Sequence, residues 1–432
     1  MIVAKFGGTS VRDANAMLSV AEILRGRIAT HGSVIGVVSA TSGTTNTLLA
    51  LASMRNAVAE QSLRSRHHAI LTDAVSDTCQ AHVSIDALCD ELTTYLDAVS
   101  ILGECTDESR DTVVAFGERL STTILHAICV HHGINAELLD ARHLVRTDAT
   151  YGHAVVDMQT TRDQCAALRT RPAALTITQG FIGATSDHRT TTLGRGGSDY
   201  TAALLGWACN ASVIEIWTDV SGIYTCDPRV IQDAVPIASL GFQQVRELAL
   251  YGAKVIHPET IIPAVSASIP VRILHTFAPQ EPGTTIIADT AEGESRIAAV
   301  SVLRGCQHIR ASTEVLAHMR AADGLHDAVV VCADAIDTGF LVVRCTTAEH
   351  EQALVALCET HHIQPVPSGV LAVCSTGAWD ASLIATAMHA LQDCNVLATS
   401  VGSTLTALLT VISDHDVETA AQQIHAEIIR RR

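Results

Sequence analysis

A short β-rich run, Ile2 to Phe6, stops at two adjacent glycines, Gly7 and Gly8; a helical pattern follows from Ala16 to Arg27, then a second strand from Ser33 to Val38. This order leaves few folds open, because two strands joined through one helix pair side by side and in parallel. The chain therefore reads as an α/β protein. From Thr47 to about His132 apolar residues recur every three or four positions, the spacing of amphipathic helices. Ala173 to Thr178 and Val213 to Trp217 are further buried-strand candidates, each running into a turn that bears Gly, Thr or Asp. Ligands of open α/β sheets gather at the carboxyl ends of strands, so chemistry is expected at those turns.

Proline, glycine and acidic residues mix between Ala278 and Ser295, which marks a domain boundary. From about Arg296 the sequence reads twice as strand, helix, strand, strand, helix. The second copy runs Gly369 to Ser375, Ala381 to Gln392, Val396 to Ser400, Thr404 to Ile412 and Val417 to Ile429, its middle strands joined across Gly402-Ser403. The fainter first copy runs Ala298 to Leu303, Glu314 to Ala322, Ala328 to Cys332, Phe340 to Cys345 and Glu349 to His361. Two βαββα units predict a pair of small α+β domains, a form common among ligand-sensing modules. The length of 432 residues fits two or three domains in all.

The formal charge, −17, is spread along the chain and argues against nucleic acid or an anionic membrane as partner, since phosphate surfaces call for a basic stripe. No apolar run approaches the ~20 residues of a membrane span, and MIVAKFGG lacks the basic and apolar regions of a secretory signal. Thirteen cysteines without a C-x-x-C pair read as free thiols of a reducing cytosol, so a cytoplasmic protein is expected. The 21 histidines show no H-E-x-x-H or similar spacing, and no protein-held metal is expected from them.

Five segments bear chemistry. In Lys5-Phe6-Gly7-Gly8-Thr9-Ser10 the glycines let backbone N–H groups approach phosphate oxygens, and Lys5 adds a charge where a transferring phosphoryl group would gain it. Alone, Gly-Gly after a strand is more often a plain turn. No G-x-x-x-x-G-K-[ST] occurs, so an ATP site here is not of the P-loop kind. Thr190 to Thr201 sets three glycines and several hydroxyls before an apolar helical run, Ala202 to Ala208. Ser198 or Asp199 is its expected N-cap, with an anion site behind it, and Arg195 can fork onto a carboxylate. Trp217 to Tyr224 closes a strand before a turn at Cys226 to Arg229; it reads equally as a tight strand-loop or as a nucleotide edge, with Tyr224 on the base and Arg229 near phosphates. Glu118 is either a seat for a substrate ammonium or a solvated helix charge. Lys254 can meet phosphate, while His257, before a proline, reads as structural.

Taken in order, these blocks resemble aspartate kinases. The resemblance rests on K-F-G-G-T-S (5–10), S-A-T-S-G-T-T-N (39–46), F-G-E-R-L-S (116–121), T-Q-G-F-I-G (178–183), T-T-T-L-G-R-G-G-S-D-Y-T-A (190–202), I-W-T-D-V-S-G-I-Y (216–224) and Y-G-A-K-V-I-H-P (251–258). It runs from residue 1 to about 288 and is nearest the lysine-sensitive, monofunctional branch. It implies a three-layer αβα amino-acid kinase fold over 1–288, then two ferredoxin-like ACT domains at 296–366 and 369–432. It also implies aspartyl phosphate and ADP as products of L-aspartate and ATP, with Mg²⁺ carried on the nucleotide phosphates, opening the routes to lysine through diaminopimelate, threonine and methionine. By matching positions, Lys5 and Asp199 would be catalytic, Lys5 on the phosphoryl group and Asp199 orienting Lys5 or the metal. Thr45, Glu118, Arg195 and Ser198 would hold aspartate, with Arg195 on the α-carboxylate and Glu118 on the ammonium. Lys5, Gly7, Gly8, Thr218, Asp219, Tyr224, Arg229 and Lys254 would line the nucleotide. The attacking group needs no general base, because a free Asp side chain ionises at about 3.9.

The ACT pair implies an amino-acid effector and a homodimer. The chain departs from its lysine-sensitive relatives here: Gln307 to Thr313 runs straight into a helix without their glycine-rich effector loop, and Asp327 to Asp334 lacks their serine-aspartate pattern. An altered, lost or different effector response is therefore expected, with dimer contacts around Leu397 to Thr406. The rival readings are a kinase of glutamate, acetylglutamate or carbamate, and a silent amino-acid sensor. Arg195 with Glu118 favours a free α-amino acid.

Overall fold

The strand that opens the chain, β1 (Ile2–Phe6), is buried at every position. Strands in the middle of a parallel sheet are covered on both faces, which is why it reads as a continuous apolar run interrupted only by Lys5. The computed structural model describes the chain except for residues 77–78, 172, 253–255, 289–294, 323, 326–327, 335–336, 401–406 and 431–432. Lys254, Asp327 and the turn expected at Gly402-Ser403 lie outside the described residues.

After β1 come α1 (Ala14–His31), β2 (Val34–Val38), α2 (Thr44–Ser53), α3 (Ala57–Ala74), α4 (Cys79–Leu102), α5 (Asp107–Val114) and α6 (Phe116–His131). The chain continues through β3 (Ala136–Leu139), α7 (Met158–Cys165), β4 (Leu175–Gln179), the hairpin β5 (Ile182–Ala184) and β6 (Thr190–Thr192), α8 (Gly197–Cys209) and β7 (Ile214–Thr218). Residues 223–255, with β8 (Ser239–Gly241) and α9 (Phe242–Leu250), belong to a second compact unit. The first unit resumes with α10 (Ile262–Ser266), β9 (Val271–His275) and β10 (Thr284–Ile287). Its strands lie in the order β3-β4-β2-β1-β7-β9-β10. All pair in parallel except β10 against β9.

The expected strands and helices of this half are present to within a few residues. The stretch 107–131 is long and apolar enough to cross a membrane by composition, and it is 72% buried inside the protein. It forms α5 and α6, whose Phe116, Leu120, Ile124 and Ile128 join the main core. Beneath the sheet, Glu215 of β7 is fully buried and meets Arg27 Nε at 2.8 Å, Arg272 Nη1 at 3.5 Å and the Trp217 indole N–H at 3.1 Å.

The second unit continues with β11 (Ile297–Ser312), α11 (Thr313–Ala321), β12 (Val329–Asp334), β13 (Thr338–Val343), α12 (Ala348–Thr360), β14 (Val366–Ser375), α13 (Ala381–Ala390), β15 (Val396–Ser400), β16 (Ala407–Ser413) and α14 (Val417–Arg430). Both βαββα repeats are there. They share one six-stranded antiparallel sheet, β12-β13-β11-β14-β16-β15, because the long β11 pairs with β13 and with β14. The unit also takes in residues 223–255, which the sequence reading had grouped with the first domain. The Thr225 hydroxyl, for instance, bonds His425 Nε2 at 2.9 Å. The described cysteines are all free, and most are buried.

Arg27→Ala would strand the buried Glu215 carboxylate and should lower the unfolding free energy by about 3 kcal/mol. Chemical denaturation measures this, and a loss below about 1 kcal/mol would mean that Arg272 and Trp217 suffice.

Candidate active site

The carboxyl ends of β1 and β2 and the first turn of α8 converge on one cavity of about 430 Å³. Lys5, Gly8, Thr45, Glu118, Arg195, Ser198 and Asp199, all singled out from sequence, line it. Lys5 sits on β1 between β2 and β7. Its ammonium meets Asp199 Oδ1 at 2.7 Å, with both side chains nearly buried.

The glycine block works differently from the N-cap expectation. α8 begins at Gly197, and its N-cap is Gly196, at φ 73°, with no side-chain cap. Only glycine takes that left-handed conformation without strain, and a Cβ at Gly196 would also stand 2.7 Å from Thr260 Cγ2. Ser198 and Asp199 are thus the second and third helical residues, whose amides have no acceptor within the helix. A carboxylate there also suits the helix dipole. Arg195, exposed at the cavity edge, has no hydrogen-bond or ion-pair partner among the described residues. A Cβ at Gly8 would lie 2.9 Å from the Ala40 carbonyl oxygen, so the turn after β1 can hug the turn after β2 only with glycine at this position.

Glu118 is buried on α6. Its Oε1 accepts from the Ala40 amide at 3.1 Å, while Oε2 has no partner. Burial pushes its carboxyl up to about 8, against which the Ala40 hydrogen bond pulls only partly. A carboxyl so placed awaits a cation.

Sequence reading missed the side chains that brace this wall. Fully buried His67 points Nδ1 at the Leu63 carbonyl, 2.8 Å away, so Nδ1 carries the proton and Nε2 accepts from the Thr41 hydroxyl at 3.4 Å. Thr41 Oγ1 in turn lies 2.6 Å from Thr44 Oγ1, beside Thr45. Burial lowers the His67 pKa to about 4, which keeps this relay in one direction at neutral pH. Asp111 of α5 accepts from the Gly152 amide at 2.9 Å and from the Thr192 amide and hydroxyl at 2.7 and 2.8 Å, bracing the strand that leads to Arg195. Phe181, at φ 70°, forms another wall; so bulky a residue in that region marks a functional constraint. Nothing in the spacing could reveal the Asp111 contacts, which span 41 positions to Gly152 and 81 to Thr192.

The expected nucleotide residues are less unified. Thr218 ends β7 and Asp219 follows it; the Gly7 amide bonds the neighbouring Trp217 carbonyl at 3.2 Å. Tyr224 and Arg229 belong to the second unit, where Arg229 forks onto Asp227, its closest approach 2.6 Å.

The model of the amino acid kinase family matches residues 1–275, and the chain belongs to that family. Within it, the chain is 37% identical over 302 residues to lysine-sensitive aspartokinase 3 of Escherichia coli K12, covering 67% of this chain and 65% of that protein. It is 34% identical over 294 residues to an aspartokinase of Chlamydia trachomatis serovar D, again over 67% and 65%. The matches thus span just under two thirds of these curated relatives. The E. coli aspartokinase III structure with aspartate and ADP (R-state) superposes with a TM-score of 0.79 at 29% identity, covering 99% of this chain and 100% of that one. The same enzyme with lysine and aspartate (T-state) gives 0.84 at 29%, covering 99% of each.

The two buried groups bend stability in opposite senses. His67, held below its ordinary 6.5, contributes stability that is present above pH 6.5 and lost as pH falls towards about 4. Glu118, held above its ordinary 4.5, contributes stability that is lost as pH rises from 4.5 through about 8. Glu118→Gln should therefore melt higher than the parent at pH 8, by on the order of 1 kcal/mol, and lose the decline between pH 6.5 and 8. Parallel melting curves for the two proteins across that range would show that Glu118 is ionised in the empty cavity.

Proposed function

We propose that this chain is an aspartate kinase, transferring the γ-phosphate of ATP to the β-carboxylate of L-aspartate to give 4-phospho-L-aspartate and ADP. The observation that carries the reading is a pair of unmet polar groups lining one cavity: the guanidinium of Arg195, without a partner among the described residues, and the unpartnered Oε2 of Glu118. An α-amino acid presents the two complementary groups. Arg195 takes the α-carboxylate, Glu118 the ammonium, and Thr45 and Ser198 offer hydroxyls to the side-chain carboxylate. Acetylglutamate lacks the ammonium and would leave Glu118 without a partner.

Phosphoryl transfer needs positioning and charge neutralisation more than a covalent nucleophile. Lys5 is the local cation for the transferring group, and Asp199 fixes where its ammonium stands. The free amides at the start of α8 and the turn at Gly7-Gly8 offer donors to phosphate oxygens. This donor set fits ATP. Mg²⁺ would ride on the nucleotide phosphates, with Asp199 orienting Lys5 or the ion, and would supply charge neutralisation. Thr218 and Asp219 would contact the nucleotide in this reading, and the family resemblance adds Tyr224, Arg229 and Lys254.

The domain assignment that goes with it is a kinase module over 1–288 and ACT-like modules over 296–366 and 369–432. The latter would support a homodimer and an amino-acid response in a cytoplasmic enzyme. β11 runs unbroken to Ser312 and enters α11 at Thr313, which supports a lost or altered lysine response.

Hydroxylamine trapping of acyl phosphate, with ATP and Mg²⁺, tests the activity across aspartate, glutamate and acetylglutamate. Signal with aspartate alone is expected, and signal only with another acceptor would overturn the assignment. Lys5→Ala should lower kcat by at least about 100-fold in a folded protein. Arg195→Ala should act chiefly through KM for aspartate, raising it by about 10-fold or more.

A further inference from the structure

The fold makes something of the histidines that the sequence spacing hides. His68 of α3 and His82 of α4 face each other with their Nδ1 atoms 2.5 Å apart. Their ring centroids are 4.8 Å apart and the planes differ by 24°. That separation is the contact distance plus two ring radii, so the imidazoles meet edge to edge rather than face to face. His68 Nε2 lies 2.9 Å from Asp86 Oδ1. A carboxylate only accepts. Nε2 of His68 is therefore the donor in that bond, and in the tautomer with its one proton there the Nδ1 lone pair faces His82. His82 Nε2 is 3.4 Å from the Thr72 hydroxyl, which can donate or accept. His82 can thus keep its proton on either nitrogen. On Nδ1 it makes an N–H···N bond; on Nε2 it leaves two lone pairs converging on one point.

We propose that His68 and His82 form a site for a borderline divalent transition metal, Zn²⁺, Ni²⁺ or Cu²⁺, with both Nδ1 atoms as ligands and Asp86 orienting the His68 ring. Imidazole nitrogen suits this class of ion. A carboxylate on the far nitrogen fixes the tautomer of a ligating histidine and raises its basicity. Asp86 is itself held by Arg64 Nη1 at 3.0 Å, and Arg64 also pairs with Asp90, so the two carboxylates more than offset the nearby guanidinium. Among the described residues no three His, Cys, Asp or Glu side chains form a metal cluster. The site is accordingly a two-imidazole clip completed by water. With metal–nitrogen bonds of ~2.0–2.1 Å two ligands stand about 3 Å apart, so the partly exposed rings open slightly on uptake. The bound ion ties α3 to α4, one residue beyond His67, whose imidazole braces Thr41 of the cavity wall.

Equilibrium dialysis of untagged protein against Zn²⁺ or Ni²⁺, followed by metal analysis, tests the assignment with the parent, H82N and D86N. The parent should retain a tightly held ion that H82N loses. D86N should retain it about 10-fold more weakly. Retention should fall on acidification, because protons compete for the ligands. Added Ni²⁺ should raise the melting temperature of the parent but not of H82N. Equal retention by the parent and a folded H82N, or none by the parent, overturns the proposal. Should H82N fail to fold, D86N decides: affinity equal to the parent's overturns it.

Discussion

The Lys5–Asp199 ion pair, 2.7 Å long, joins the end of the central strand to the first turn of α8, and the cavity is arranged around it. A nearly buried ammonium without a partner would be costly, and so would the carboxylate. Together they are tolerated, and each fixes the other. In a chain of net charge −17 an anionic ligand must be met by local positive features rather than by the field of the whole molecule. Lys5, Arg195 and the amides of two glycine turns are those features. Everything else in the first unit holds them in register: β2 and β7 flank β1, Asp111 braces the strand before Arg195, and His67 braces the turn before Thr45.

Glu118 shows why such a site is under tension before it is filled. A carboxyl with one oxygen lacking any partner favours its neutral form, as its raised pKa reflects. An arriving ammonium reverses that preference. The site therefore stores part of its selectivity as an unpartnered carboxyl, which an acceptor lacking the amino group cannot satisfy.

Much of this was legible in the sequence for physical reasons. Buried parallel strands are continuous apolar runs, so β1, β2, β4 and β7 announced themselves, and the glycines marked where backbone approaches backbone or ligand. The parallel α/β sheet and the paired βαββα repeats followed from periodicity and order, while the three-layer αβα arrangement was implied by the family resemblance. What failed to show depends on contacts far apart in the chain. Asp111 looks like any acidic residue on a helix until Thr192 is brought against it. His67 differs from His68 only in the direction its side chain takes, inward to Thr41 or outward to His82. The N-cap expectation fell on Ser198 or Asp199, whose side chains are good cap acceptors; the left-handed turn and the close Thr260 gave the position to Gly196 instead. The grouping of residues 223–255 with the C-terminal sheet left no compositional trace. Its evidence is long-range, as in the Thr225–His425 bond.

The central claim is that an amino acid enters by pairing its ammonium with a Glu118 that is neutral in the empty cavity. Isothermal titration of aspartate near pH 7, repeated in buffers of different ionisation enthalpy, reads the protons exchanged on binding. Binding should release protons, because the ammonium drives Glu118 to its charged form, and the release should vanish in Glu118→Gln if that variant still binds. Binding without proton release, or with the same release in the variant, would contradict the account.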